Sequence, residues 1–317
     1  MSLVSVIIPT YNRAHLIGRA IESVLSQTYD CFEIVIVDDA STDGTERVIK
    51  HYTDKRIRYI RSDKNMGLGA ARNIGIESAR GKYIAFLDDD DLFEPRKLDV
   101  QVPILDNNPE FGFVYSDGLI FNIEEPSKIE LNPAVGRDSP REEFSRLFFM
   151  DPNIYVSSFL VRRACFEDVG FFNERLAHHH DGDMFLRIAL KWNVTFSDYP
   201  STRVRNHPNR MSLDRIEMNK SILQSGLKIL EMYPDFKEEL GDDANVRIAG
   251  LHYSIALAYL NKNQFKEAKK ELELYFSYCK SVFWKARLVK FILQIPHPAI
   301  IIKPVLFFRK FARNIKK

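Results

Sequence analysis

Before Asp91 the chain carries four short apolar runs, each leading into polar residues. They are VSVIIP at Val4–Pro9, FEIVIV at Phe32–Val37, IRYI at Ile57–Ile60 and YIAFL at Tyr83–Leu87. Short runs rich in β-branched residues read as strands buried on both faces, the pattern of a parallel sheet. Helical stretches separate them. Leu16–Gln27 places Leu16, Ala20, Ile21, Val24 and Leu25 at helical spacing. The turn Ser41-Thr42-Asp43-Gly44 precedes a second predicted helix, Thr45–Tyr52, and the glycine loop Asn65–Gly69 (NMGLG) precedes a third, Ala70–Ala79. This alternation predicts an α/β class, with a mostly parallel sheet flanked by helices on both faces.

Past Asp91 the alternation loosens. The pattern predicts helices over Pro95–Asn107, Pro140–Met150, Arg163–Val169 and Asp181–Lys191, strands at Gly112–Tyr115 and Ser157–Val161, and a polar loop over Glu124–Asp138. From Leu213 onward almost everything reads as helix. Two regions are therefore expected: an α/β domain over 1–212 and an α-helical C-terminal region over 213–317. Within the latter, residues 244–278 look like one tetratricopeptide hairpin, with Ala256, Tyr259, Ala268 and Leu272 as its small and large packing residues. One such unit cannot build a solenoid, because at least three are needed to bury a continuous core. A helical cap is expected instead.

The fourth apolar run ends in four consecutive acids, Asp88, Asp89, Asp90 and Asp91. Adjacent carboxylates repel, so folding alone gives little reason to gather them. The carboxyl ends of parallel strands are where open α/β sheets bind ligands. Carboxylates there suit a hard divalent cation that also holds phosphate oxygens, Mn²⁺ or Mg²⁺. The plainer alternative is an acidic surface turn that caps the helix after Pro95.

Charge is unevenly spread. The net charge is +2, which carries no nucleic-acid signature, and no nucleic-acid partner is expected. Ten Lys and Arg residues and no acid follow Glu273, so the rest of the chain is net acidic. The last stretch, Ile295–Lys317, interleaves apolar residues with Lys303, Arg309, Lys310, Arg313, Lys316 and Lys317. A helix from Pro304 would have an apolar and a basic side, suited to an anionic membrane surface. A final helix packed on the domain with its charges solvated is the alternative. Cys31, Cys165 and Cys279 lie far apart without metal or disulfide spacing, which fits a reducing compartment. Met1-Ser2-Leu3 leads straight into a strand, so no leader is expected, and no apolar run has the length of a membrane span. A cytoplasmic location follows, at the inner face of the membrane if the tail binds there.

Five stretches align with one plan: VSVIIPTYNR at Val4–Arg13, VDDASTDGT at Val37–Thr45, NMGLGAARNIGI at Asn65–Ile76, YIAFLDDDD at Tyr83–Asp91 and HHHDGDMFLRIAL at His178–Leu190. Together they resemble the family 2 glycosyltransferases, inverting enzymes with a Rossmann-like GT-A fold that use nucleotide-activated sugars. The resemblance covers roughly residues 3–210 and implies a nucleotide-sugar donor, expected to be UDP-linked, and a glycan or lipid-linked acceptor, as in bacterial cell-surface polysaccharide synthesis.

The resemblance also implies roles. The turn Pro9, Thr10, Tyr11 and Arg13 faces the nucleotide, with the Tyr11 ring free to stack on a base. Asp39 matches the aspartate that accepts the N3–H of uracil, while Asp38 holds the backbone or Arg13. Gly67 and Gly69 permit close backbone approach, and Arg72 matches a position near the base and phosphate. The D-x-D motif maps to Asp88-Asp89-Asp90: Asp90 binds the metal, Asp88 or Asp89 faces the ribose, and Asp91 caps the next helix. Asp181 is the expected catalytic base, six residues before Arg187, with His180 where the family usually has glutamate. Asp183 is expected to cap its helix or orient Asp181. His178, His179 and His180 are expected to line the acceptor site. Arg205-Asn206-His207 resembles the family's R-x-H turn, in which His207 ligates the metal or touches the diphosphate; a buried structural histidine fits equally well.

Three other readings compete. A dehydrogenase of Rossmann type requires G-x-G-x-x-G after the first strand; here that turn reads PTYNR, with no glycine until Gly18. A non-catalytic nucleotide-sugar-binding protein of the same fold would not need Asp39, Asp90 and Asp181 together. A helical partner-binding module in the C-terminal region is compatible with the enzyme.

Overall fold

The computed structural model describes residues 1–122, 128–137, 139–206 and 214–278. Their contacts separate two units: 1–176 with 180–206, and 177–179 with 214–278.

In the first unit the described strands are β1 (Val4–Thr10), β2 (Phe32–Asp38), β3 (Ile57–Arg61), β4 (Tyr83–Phe86), β5 (Leu92–Phe93), β6 (Phe111–Phe121), β7 (Ile129–Asn132), β8 (Leu160–Arg162) and β9 (Asn193–Arg205). They form one sheet in the order β3-β2-β1-β4-β8-β6-β9-β5, with β7 paired to β6. Every residue of β1 and β2 is buried, as expected for central parallel strands covered on both faces. β3, β2, β1 and β4 run parallel. Beyond β4 the sheet is mixed. β8 runs antiparallel to both β4 and β6, β6 and β9 are parallel, and β5 and β7 are antiparallel additions. The mostly parallel arrangement therefore holds for the N-terminal half alone, where each strand is followed by a crossover helix.

The helices of this unit are α1 (Ile17–Leu25), α2 (Thr45–Lys50), α3 (Leu68–Ser78), α4 (Lys97–Asn107), α5 (Arg141–Met150), α6 (Ala164–Val169) and α7 (His180–Ala189). On one side of the sheet Val4, Val6, Ile8, Ile34 and Ile36 pack with Ile17, Ala20, Ile21 and Val24 of α1. The other side is aromatic. Phe86 of β4 meets Phe166, Phe172 and Phe185 edge-on, and Phe159 stacks on Phe185 with centroids 3.7 Å apart. Such pairs add about 0.5–1.5 kcal/mol each beyond area burial. They fix α7 against the sheet.

Three local expectations change. Ser157–Val161 is not one strand but a 3₁₀ turn, Val156–Ser158, followed by β8. The expected loop Glu124–Asp138 contains β7, whose edge pairing with β6 gives its polar residues a ladder; residues 123–127 and 138 lie outside the described ones. The long β9 was not expected, because NVTFSDYPSTRVR is polar and contains Pro200.

The second unit contains α8 (Arg215–Met232), α9 (Pro234–Leu240), α10 (Asp242–Asn261) and α11 (Phe265–Tyr278). Asp214 caps α8 through the amides of Ile216 and Glu217. α10 and α11 form the expected hairpin, with Ala256, Ala268 and Leu272 buried. The tail Ile295–Lys317 lies outside the described residues, and no described helix is long and apolar enough to cross a membrane.

Candidate functional site

Strand register builds the site. β1 pairs with β2 so that Thr10 lies opposite Asp38. β1 pairs with β4 through Ile7 and Phe86, and three residues further on Thr10 meets Asp89. The Thr10 hydroxyl donates to Asp89 Oδ2 at 2.7 Å, and Arg13 lies 3.7 Å from its other oxygen. Because β8 runs antiparallel to β4, pairing Ala85 with Leu160, the residue ahead of β8 faces the acids. Ser157 accepts the Asp88 amide at 3.3 Å and donates to Asp91 Oδ2 at 2.8 Å. β5 pairs Leu92 with Arg203 of β9, so the Arg205 amide reaches Asp91 Oδ1 at 3.1 Å.

Asp91 therefore does not cap α4, as expected from sequence. It is buried and fastens the acidic turn to Ser157 and β9. Burial pushes its carboxyl well above the usual range, with the charges of Asp88 and Asp90 adding.

Arg72, on the first turn of α3, donates to Asp88 Oδ1 at 2.8 Å. Burial raises the Asp88 carboxyl, Arg72 opposes the rise, and the neighbouring charges of Asp90 and Asp181 add to it. Asp181 therefore lies within electrostatic reach of the acidic turn, although α7 is far away in sequence. Burial pushes Asp89 up to about 7, with Asp90 and Asp88 adding and Thr10 and Arg13 opposing.

Asp39 is buried, and its two oxygens accept the amides of Met66 and Gly67 at 2.8 and 2.7 Å. This holds the glycine loop against the end of β2, with Gly67 at φ 93, a backbone that favours glycine. Each carboxylate oxygen keeps a second lone pair. Asp38 holds the backbone amide of Ser41 and pairs with Tyr59 and Arg61, not Arg13. Burial and Asp38 together push the Tyr59 hydroxyl up to about 12. The turn after β1 is pinned to residues 41–45: Asn12 and Arg13 donate through their amides to Ser41 and Thr45, and Asn12 accepts the Thr42 amide. The Tyr11 ring is left 44% exposed, and Pro9 is buried within β1.

α7 begins at His180, whose ring lies so near Gly69 that a Cβ there would sit 2.9 Å from Cδ2. The starts of α3 and α7 are thus brought together. Asp181 is half-buried and accepts the neighbouring Gly182 amide at 3.0 Å. Asp183 pairs with Arg187 at 2.9 Å inside the same helix. His178 and His179 belong to the second unit, and His207 lies outside the described residues.

Two contributors were not singled out from sequence. Ser157 became visible only with the reversal of β8. Arg205 was visible as part of the R-x-H turn, but nothing in one dimension shows that it is buried beside the acids. Lys97 is also fully buried, donating to Gln101, Ser158, Phe159 and Ser201. It braces the segment that carries Ser157, and burial lowers its amine well below the usual range.

The donor set fits a divalent cation. Among the described residues no three His, Cys, Asp or Glu side chains form a cage by themselves. Mg²⁺ and Mn²⁺ at phosphate sites instead take one or two carboxylates plus substrate oxygens and water. Burial raises the carboxyls of Asp88, Asp89 and Asp91, and each is raised further by a neighbouring acid of the same turn, a repulsion that a bound cation would relieve.

The chain is 36% identical over 136 residues to the UDP-Glc:alpha-D-GlcNAc-diphosphoundecaprenol beta-1,3-glucosyltransferase WfgD of Escherichia coli, covering 41% of this chain and 54% of that protein. Among solved structures, S. aureus TarS 1-349 in complex with UDP-GlcNAc superposes with a TM-score of 0.65 at 18% identity, covering 93% of this chain and 86% of that one. The mannosyltransferase PcManGT from Pyrobaculum calidifontis, in complex with GDP-Man and Mn²⁺, gives 0.58 at 20% identity, covering 90% and 77%. These two likenesses show the shared GT-A fold. The family description "Glycosyl transferase family 2" matches residues 5–170, more than half of the chain and spanning both the glycine loop and the acidic turn. The chain therefore belongs to glycosyl transferase family 2 and is a glycosyltransferase.

Proposed function

We propose that the protein transfers a sugar, with inversion, from a nucleotide-sugar donor to a hydroxyl of a glycan or lipid-linked acceptor. The observation that carries this reading is the convergence of Asp39, Arg72, Asp88, Asp89 and Asp181 at the carboxyl ends of β1, β2 and β4. Pro9, Thr10, Tyr11, Arg13, Asp38, Asp39 and Gly67 would form the nucleotide side. Tyr11 stacks on the base and Asp39 accepts its N–H while keeping the loop amides. Asp88 and Asp89 face the ribose, and Arg72 holds Asp88 in place.

Asp90, with His207, would hold Mn²⁺ or Mg²⁺, which when bound neutralises charge on the departing diphosphate. Asp181 takes the proton of the acceptor hydroxyl. The acceptor oxygen forms its bond to the anomeric carbon as the bond to the diphosphate oxygen breaks, and the diphosphate leaves with the electron pair. A UDP-linked donor is supported by the printed ligand of TarS and the printed name of WfgD, and a lipid-linked diphosphate acceptor by the latter. The basic tail, residues 296–317, would bring the site to an anionic inner leaflet.

Release of nucleoside diphosphate against a panel of sugar nucleotides, with Mn²⁺ or Mg²⁺ and with EDTA, tests the reading. Metal-dependent binding and turnover of one donor is expected. Absence of any nucleotide binding would overturn it. Sedimentation with anionic liposomes, with and without residues 296–317, tests the tail.

A further inference from the structure

Asn73 sits on α3 beside Arg72, and no step of the reaction proposed above uses it. It is 7% exposed. Its Nδ2 donates to the Phe172 carbonyl at 3.0 Å and to Glu174 Oε1 at 2.8 Å, and its Oδ1 accepts the Phe172 amide at 2.9 Å. The carboxamide thus meets both backbone groups of one residue, as a neighbouring strand would, across 99 positions of sequence. Both of its N–H donors are spent within the protein, which leaves none for a ligand.

The segment it grips is held from its other end by α7. Arg187 donates to the Val169 carbonyl at 2.6 Å and to the Phe171 carbonyl at 2.9 Å, while Asp183 accepts its Nε–H at 2.9 Å. Arg187 is buried as well. α3 starts at the glycine loop that Asp39 holds, and α7 carries Asp181 in its first turn. Residues 169–174 therefore join the helix behind the donor loop to the helix that bears the proposed base. Aromatic packing presses α7 onto the sheet, but apolar burial is non-directional. Hydrogen bonds weaken steeply as they bend, so these set where α7 stands along and about its own axis. The starts of the two helices leave no slack. A Cβ on Gly69 would lie 2.9 Å from His180 Cδ2 and 3.6 Å from Glu174 Cα.

Resting on the donor and base reading above, we propose that Asn73 is a positioning residue for sugar transfer: through residues 169–174 and Arg187 it sets the place of Asp181 relative to the donor held at the glycine loop. It touches no reacting group. Two neighbours on α3 thereby split the work, Arg72 toward the acidic turn and Asn73 toward the base.

The test uses the full chain in saturating Mn²⁺. Calorimetry with UDP, or GDP if the wild type prefers guanine, reads affinity. Release of nucleoside diphosphate from the sugar nucleotide that the wild type consumes, with water as acceptor, reads turnover. Asn73→Ala should leave affinity within about threefold and cut kcat by roughly 10- to 100-fold, the scale of a misplacement of about 1 Å. In an Asp181→Asn background it should add no more than about twofold, because a misplaced base and an absent one are equivalent. Asn73→Asp keeps the volume and the acceptor for the Phe172 amide, but loses both donors and faces the Glu174 carboxylate, so it should lose turnover too. Adding Glu174→Gln supplies a donor from the opposite side and should recover most of that loss.

A general loosening of the fold would lower affinity and rate together and would add to the effect of Asp181→Asn. Either result, an unchanged kcat for Asn73→Ala, or no recovery on adding Glu174→Gln would overturn the proposal. Should Asn73→Ala not fold, Asn73→Asp and its pairing with Glu174→Gln decide, with thermal melting checked first. If the wild type binds no nucleoside diphosphate, the donor reading itself fails. If Asp181→Asn turns over normally, the base reading fails. If both hold and Asn73→Ala matches the wild type, only the role of Asn73 fails.

Discussion

The Asp39 carboxylate accepts the Gly67 amide at 2.7 Å and the Met66 amide at 2.8 Å. One buried acid thus shapes the glycine loop before any nucleotide arrives. Asp39→Ala should remove both the proposed base contact and the loop anchor, weakening UDP by about 1.5–3 kcal/mol. Titration calorimetry reads the loss. Unchanged affinity would remove Asp39 from the nucleotide side.

Asp181→Asn should leave donor affinity within a few-fold and cut transfer by roughly 10²–10⁴, the range for a general base. Single-turnover rates at saturating donor separate the two effects. A near wild-type rate would transfer the role elsewhere, and Asp183 is a weak substitute because it is paired with Arg187.

Ser157→Ala should loosen the acidic turn, since that hydroxyl donates to Asp91 and accepts from the Asp88 amide. A stability loss of about 1–3 kcal/mol is expected from the orphaned buried groups, with weaker metal-dependent UDP binding. Denaturant melts and calorimetry report the two readouts. Loss of neither would show that the turn holds itself.

Asp106 carries a pH signature remote from the site. Partial burial works against its ionised form, but hydrogen bonds from Lys82, Tyr83 and Ser2 hold its pKa down to about 2. A depressed carboxyl contributes stability that is fully present above its unfolded value and lost as pH falls through the folded one. Asp106→Asn should cost about 1 kcal/mol near neutral pH, after allowing for solvent screening, and clearly less near pH 2, where the folded carboxyl is half protonated. Chemical unfolding at the two pH values checks the sign.

The N-terminal half was legible because its strands are continuous apolar runs and its punctuation is strong. Val4–Thr10, Phe32–Asp38 and the Asp88–Asp91 turn needed only period and charge. The second half was less legible for physical reasons. β9 is stabilised by pairing with β6 and β5, not by composition, so its polar sequence hides it. β8 is three residues long. Lys97, in the helix expected over Pro95–Asn107, is buried because Gln101, Ser158 and Ser201 surround its amine. The partners of Asp38 and Asp91 come from β3, the 3₁₀ turn ahead of β8 and β9, a matter of register that spacing along the chain cannot encode.

The reversal at β8 has an evolutionary reading. In a wholly parallel sheet, each strand's entering loop lies at the edge opposite the ligand. Here the chain enters β8 on the ligand's own edge, and the segment leading in, around residues 151–156, can lengthen, shorten or change composition without passing through the nucleotide half. Change in this stretch alters the surroundings of the acidic turn while strands β1 to β4 keep their residues.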